Sequence, residues 1–261
     1  MQAARVAGLP SHAARDCRAR RLLGEGAGRA GATRARRLRR AAACGVPVLK
    51  EWEGVSESLG RGEKTLLVRK GGLSEGKGFQ LRSSCFLLFP TRFHESKIRD
   101  GEGGGADAGG GGEGTSVTVA AEVTGHWTIS GGDKAMRSLV RALGEEAVLN
   151  RVAWRPDLPL HLVEVRAYRL SRALSVTVSE KFGGCSSWAD LDAADVGLTA
   201  VEDDRLWDDV TAEWEAALNE AEFMARRSET RATLWRMIDE TLWDAPPGLS
   251  VVDCAPKYKQ E

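Results

Sequence analysis

The sequence predicts an α+β fold in which a β-sheet packs against flanking helices, with acidic helices at the C-terminal end. Three observations predict it. Ser116 to Ile129 carries Val117, Val119, Val123 and Trp127 at a period near two, the mark of a half-buried strand. Asp133 to Leu143 carries Met136, Leu139, Val140 and Leu143 in helical register. Cys85 to Phe89 is a continuous apolar run stopped by Pro90, as a buried strand would be.

The elements follow in order. Val48 to Leu59 places Leu49, Trp52, Val55 or Ser56 and Leu59 at spacings of three and four before Gly60, which predicts a short amphipathic helix. Thr65 to Val68 is aliphatic and Lys70-Gly71-Gly72 marks a turn, so a strand precedes the Cys85 strand. After the 116–129 strand, Asp133 is placed to cap the next helix. Leu160 to Leu170 alternates and Leu174 to Val178 reads as another strand, which predicts two strands before the turn Gly183-Gly184-Cys185-Ser186-Ser187-Trp188. From Asp204 to about Ala225, Trp207, Val210, Trp214, Ala217 or Leu218 and Ala221 form one stripe on an acidic helix. Leu234, Trp235, Ile238 and Leu242 form another.

Charge divides the chain unevenly. Lys plus Arg number 37 and Asp plus Glu 37, yet residues 1–45 hold eleven Arg against Asp16 and Glu25. That basic, Ala- and Gly-rich stretch lacks the apolar core of a secretory signal and is read as a disordered leader, an organellar transit segment for plastid or mitochondrion. GC-rich coding or a mis-set start codon is the alternative, with a cytoplasmic protein as its consequence. A second stretch at 98–114 mixes Gly with Asp and Glu, has no aliphatic residue after Ile98, and is predicted to be a disordered insertion. The division is therefore a leader at 1–45, a domain at 46–226 interrupted at 98–114, and a helical extension with tail at 227–261.

Several classes are excluded. The five Cys are odd in number and never closer than 27 residues, which removes CxxC zinc or redox motifs and argues against a disulfide scaffold. His126 and His161 have no ligand at metal spacing, so no metal and no cofactor is expected. No apolar run approaches the roughly 18 residues of a bilayer span, so no membrane contact is expected.

Five separated blocks occur in the order seen in the domain-of-unknown-function 1802 family, which this chain resembles. They are Val48 to Trp52, Arg69 to Leu73, Phe86 to Thr91 with His94, Trp154 to Leu170, and Gly183 to Leu191. The resemblance covers roughly Val48 to Leu218 and implies little about activity. Its members are common in cyanobacteria, which favours a plastid over a mitochondrion. More distantly, Trp52 followed by Gly62-Glu63-Lys64-Thr65-Leu66-Leu67-Val68-Arg69 resembles the opening of ASCH and EVE domains of the PUA-like superfamily. That likeness implies a PUA-like open β-barrel and binding of RNA or modified bases in a cleft beside it.

The candidate chemistry follows. Segment Arg61 to Asp100 holds nine basic residues against four acidic ones, a setting suited to phosphate contacts. Lys64, Arg69, Lys70 and Arg92 are the expected phosphate contacts, Gly71 and Gly72 would shape the approach, and Trp188 or Trp52 would stack on a base. The solvated charges of strands and loops are the plainer reading, and core burial is the plainer fate of Trp52. The leading expectation is binding of RNA or a modified nucleobase without catalysis. A hydrolase acting on nucleosides or RNA is the alternative. Some ASCH proteins use a Lys-Thr-Glu set, which carries over onto Lys64, Thr65 and Glu122, although adjacent Lys and Thr would point to opposite faces of a strand. His94 and Cys185 are further candidates, with an ordinary loop His and an incidental Cys as the plainer readings. A third class is a module that engages a protein partner through its acidic, Trp-bearing C-terminal helices.

Overall fold

The structure is a computed structural model that describes residues 46–72, 74–91, 114–197, 214–243 and 249–253. The expected leader, residues 98–113 of the insertion, Arg92, His94 and Trp207 lie outside the described residues.

Eight strands form one mixed sheet among the described residues. They are β1 (Val46–Trp52), β2 (Leu66–Arg69), β3 (Cys85–Thr91), β4 (Thr115–Ser130), β5 (Leu160–Val176), β6 (Trp188–Leu191), β7 (Trp214–Ala216) and β8 (Ser250–Asp253). The path runs β2-β5-β4-β3-β1-β6, with β7 added to β5 and β8 to β4. Only β1 and β3 pair in parallel; the other pairings are antiparallel. Helices α1 (Glu53–Gly60), α2 (Asp133–Ala142), α3 (Asn150–Ala153) and α4 (Glu220–Trp243) complete the α+β architecture.

Both faces of the sheet are covered, and β3 shows how. Phe86 and Leu88 enter one core with Leu49, Trp127, Leu139 and Leu234. Their neighbours Leu87 and Phe89 enter a second core with Val46, Val48, Tyr168 and Phe182. Alternate residues of a strand point to opposite faces, so a continuous apolar run is what a strand buried on both sides requires.

The same rule corrects the first element. The helix expected at Val48 to Leu59 is half strand: Val46–Trp52 is β1, and the helix begins only at Glu53. Leu49, Trp52, Val55 and Leu59 do fall on helical spacing, yet Val48 and Leu49 serve opposite cores, which only an extended chain allows. The strands expected at 160–170 and 174–178 are one strand, β5, paired with β4 through two register shifts. Gly125 stands at the second shift because the Trp127 indole lies over the space where a Cβ would be. Asp133 is not the cap of α2; Gly132 holds that position, and Asp133 pairs with Arg137 one turn on at 2.7 Å. Within the helix expected over 204–225, Trp214–Ala216 is instead strand β7, and the helix starts at Glu220. The Trp214 ring lies against Tyr168 at 5.5 Å, so partnering with β5 overrides the helical spacing. Helix α4 runs through residues 226 and 227 without a break and buries Phe223, Leu234 and Ile238. None of the described helices is long and apolar enough to cross a membrane.

The sheet does not close by backbone pairing, since β2 and β6 stand at the two ends of the path. Side chains bring those ends together, and the candidate site lies where they do.

Candidate functional site

Lys50 and Glu51 are charged residues near the C-terminal end of a buried strand, with 7 % and 1 % of their surface exposed. Each is held by groups distant in sequence. Glu51 accepts from Arg69 Nη1 at 2.8 Å, from both terminal nitrogens of Arg151, and from the Trp52 backbone N–H at 2.7 Å. Burial alone would raise the Glu51 carboxyl, but the charges of Arg151 and Arg69 and the hydrogen bonds bring it down to about 2. The carboxylate is therefore ionised in the interior. Lys50 Nζ donates to the carbonyls of Phe182, Gly183 and Gly184 at 3.3, 2.7 and 3.2 Å, which uses all three ammonium protons. Burial lowers its pKa, opposed by the Cys185 thiol and Glu75.

From Glu51 the network continues outward. Arg69 Nη2 donates to Ser187 Oγ at 2.9 Å, and Ser187 donates its hydroxyl and its backbone N–H to Glu75 at 2.8 and 3.0 Å. Glu75 also accepts from the Gly72 N–H at 2.7 Å. From the other side, residues 151–155 grip the same loop. Arg151 donates to the Val68 carbonyl at 2.6 Å, and Val152 accepts from Lys70 Nζ at 2.6 Å. Arg155, at a positive φ of 47°, spreads its guanidinium over the carbonyls of Gly72, Glu75 and Gly76 at 3.1 to 3.2 Å. The left-handed backbone there costs roughly 1 kcal/mol or more, and three hydrogen bonds hold it.

This network fixes one wall of a solvent-open cleft of about 270 Å³ lined by Glu75, Lys77, Gln80, Arg82 and Trp188, with Gly76 and Gly78 between them. Lys77 is exposed at its lip. Arg82 reaches Asp190 at 3.1 Å, and both are well exposed, so that pair is a weak one that a ligand could displace. Trp188 is 6 % exposed; its indole N–H donates to the Gln80 carbonyl at 2.8 Å while its ring stacks on Phe79 at 6.0 Å and meets Phe86 edge-on at 5.1 Å. It presents an apolar wall rather than a free platform.

The residues singled out from the sequence divide into several groups. Arg69 and Lys70 turn inward and are committed to Glu51, Ser187 and Val152. Gly71 and Gly72 do allow a close approach, but of the chain to itself: a Cβ on Gly72 would overlap the Cys185 carbonyl, and one on Gly71, whose φ is +90°, would strike the Gly78–Phe79 backbone. Trp52 is half-buried beneath the Arg151 guanidinium, 4.1 Å from its ring centre. Lys64 pairs with Glu145 at 2.6 Å, and burial raises the Glu145 carboxyl against the pull of that lysine. Thr65 is buried, and Glu122 accepts from the Tyr168 hydroxyl at 3.2 Å beside the second core. Lys64 and Glu122 thus each have another partner. Cys185 is a partly exposed free thiol beside Gly184, whose carbonyl Lys50 holds. Among the described residues, Trp188 alone of the expected binding set lines the cleft, together with Lys77 and Arg82, which the sequence marked only as part of a basic segment. Glu51, Glu75, Arg151 and Arg155 were missed. A carboxylate inside the apolar block Val46 to Trp52 was the available signal for the first.

No group of three or more His, Cys, Asp or Glu residues able to hold a metal ion occurs among the described residues. No curated protein and no solved structure matches the chain. A family model described as Domain of unknown function (DUF1802) matches residues 48–213, a span that takes in most of β1, β2 to β6 and the whole cleft, and the chain belongs to that family.

Proposed function

We propose that the protein binds RNA or a modified nucleobase, and that the ligand enters the cleft between residues 75–82 and Trp188. The observation that carries the reading is the chemistry of that lining: Lys77, Arg82, Gln80 and Trp188 around one small space, with the Glu75 carboxylate there accepting from Gly72 and Ser187. Lys77 and Arg82 would neutralise a phosphate, Arg82 exchanging Asp190 for it. Gln80 offers both a donor and an acceptor to a base edge. A volume of about 270 Å³ suits one base or nucleoside at a time, so a splayed nucleotide fits where a duplex would not. Glu75 and Gly76 would need no reordering, because Arg155 and Ser187 already hold the loop. In this reading the curled sheet is a PUA-like half-barrel whose two ends are joined by Glu51, Arg69 and Ser187.

The test is binding of fluorescent single-stranded RNA, and of free modified nucleosides, by the full chain across a salt series. Affinity should fall with salt as counterions are released, and Lys77→Ala with Arg82→Ala should weaken it and reduce the slope of log K against log salt by about 1.4, two single-strand phosphate contacts. Binding absent at low salt, or indifferent to the two substitutions, would remove this reading.

A further inference from the structure

His126 of β4 and His161 of β5 lie together beneath the cleft loop. Their rings stack at 5.3 Å between centres, with His126 Nε2 and His161 Nδ1 3.1 Å apart. Both are buried, at 7 % and 8 % exposure, and His161 Nε2 is enclosed without a hydrogen-bond partner. Phe79 packs edge-on against His161 at 5.5 Å and stacks on Trp188, so the imidazole supports the residue that lies between Gly78 and Gln80 in the cleft lining.

The inventory of hydrogen atoms selects one state of this pair. A single N–H can lie between His126 Nε2 and His161 Nδ1. If His161 supplies it, His161 Nε2 is a bare lone pair. If His126 supplies it, neutral His161 must carry its hydrogen on Nε2, where no acceptor exists. A proton added to either ring has the same consequence, because every singly protonated form that keeps the contact also puts a hydrogen on His161 Nε2. Two added protons set N–H against N–H and break the contact. Only the neutral pair with its shared hydrogen on His161 Nδ1 keeps the contact and leaves no hydrogen on the enclosed His161 Nε2.

Resting on the cleft assigned above, we infer that the His126–His161 pair is a pH-sensitive prop for that site: neutral, it holds Phe79 and residues 74–80 in place, and on gaining a proton it releases them.

Burial and the surrounding charges act in opposite senses on His126. Asp253 of β8 faces it and favours its proton, against the burial that disfavours it, while Arg69 of β2 is the register partner of His161 and sets its guanidinium 5.5 Å from the Phe79 ring centre. Thr128 Oγ1 lies 3.4 Å from His161 Nδ1 and adds no charge. Burial lowers both imidazoles, and His161, lowered also by the neighbouring His126, falls from 6.5 to about 4. A depressed folded pKa means that the released state binds the proton more readily. The closed loop therefore keeps its full advantage above about pH 6.5 and loses it between there and about pH 4.

Hydrogen–deuterium exchange of the full chain without ligand, corrected for intrinsic rates, reads this directly. Between pH 7 and pH 5 the 74–80 peptide should gain exchange with a slope approaching tenfold per pH unit for one proton taken up, while peptides from β3 and β4 stay protected. His161→Gln, whose amide keeps a donor and an acceptor but cannot titrate, should flatten the profile; His126→Gln serves if that protein fails to fold. A wild-type loop indifferent to pH over this range, or a variant with the wild-type profile, overturns the inference. RNA binding at pH 7.5 is measured separately. No binding there, with acid release of the loop intact, removes the proposed ligand and leaves the prop standing.

Discussion

Glu51 Oε2 and Arg69 Nη1 meet at 2.8 Å although β1 and β2 are separated by three strands along the sheet path. The ion pair is a side-chain joint between parts of the sheet that the backbone ladder leaves apart. It is a double joint, since Arg151 grips the same carboxylate and Arg69 passes on to Ser187.

Removing the carboxylate should therefore cost more than losing a surface pair would. Glu51→Gln leaves two guanidiniums, whose side chains are 11 % and 12 % exposed, without their counter-charge. Breaking one side of a buried pair costs about 3 to 5 kcal/mol. The midpoint of urea unfolding should fall by that amount divided by the m-value, and a loss under about 1 kcal/mol would mean that the pair is hydrated rather than buried.

The same carboxylate sets an acid limit. Its folded pKa of about 2 lies below the ordinary 4.5, so its contribution is complete above pH 4.5 and is lost as pH falls from there toward 2. Thermal melts of wild type and Glu51→Gln should differ by a constant amount from pH 5 to 8 and converge below pH 4. Curves that stay parallel to pH 2.5 would contradict the ionised state of Glu51.

Legibility in the sequence follows the physics of each element. β4 and α2 were readable because their apolar residues keep the period of the element over ten residues or more. β1 was not, because a strand buried on both faces has no alternation to read, and Leu49, Trp52 and Leu59 fall at helical spacing by accident. The site inherits that error. With β1 read as a helix, Lys50 and Glu51 belong to its polar face, and nothing suggests that Arg69 and Lys70 turn inward. Partners such as Glu145 for Lys64, 81 residues away, depend on topology that no local pattern encodes.

Gly72 lies directly against the turn before β6, and its missing side chain is what allows it. In Gly72→Ala the Cβ would overlap the Cys185 carbonyl, so one of the two loops must move. The cost should reach or exceed about 3 kcal/mol, the upper end of ordinary overpacking. Gly76→Ala, in the same loop but with nothing within 4 Å of its added Cβ, should stay within about 0.5 kcal/mol of wild type. Thermal melts of the two proteins decide this, and equal shifts would mean that the loops slide past each other freely.

Glu164, fully buried on β5, ties α4 to the sheet. Arg227 Nε reaches it at 3.1 Å, Arg231 reaches it at 2.9 and 3.0 Å, and the Thr124 hydroxyl donates at 2.7 Å. The two arginines are 28 % and 34 % exposed, so solvent weakens each pair, but the carboxylate itself has no access to water. In Arg227→Ala with Arg231→Ala only the Thr124 hydroxyl remains among these donors, and burying a charge so poorly matched should cost more than either surface substitution alone would suggest. The helix would then be held by Phe223, Leu234 and Ile238, by Arg226 on the Glu63 carbonyl and by the Glu220–Arg166 pair near its start, which leaves the turns around 227–231 without their anchor on the sheet. Limited proteolysis should cut within 220–238 at least several-fold faster in the double variant. Trp235→Ala, which removes a side chain that is 46 % exposed on the same helix, should leave the cleavage rate near wild type. Equal rates for all three proteins would show that apolar packing alone seats α4 and that Glu164 has found other donors.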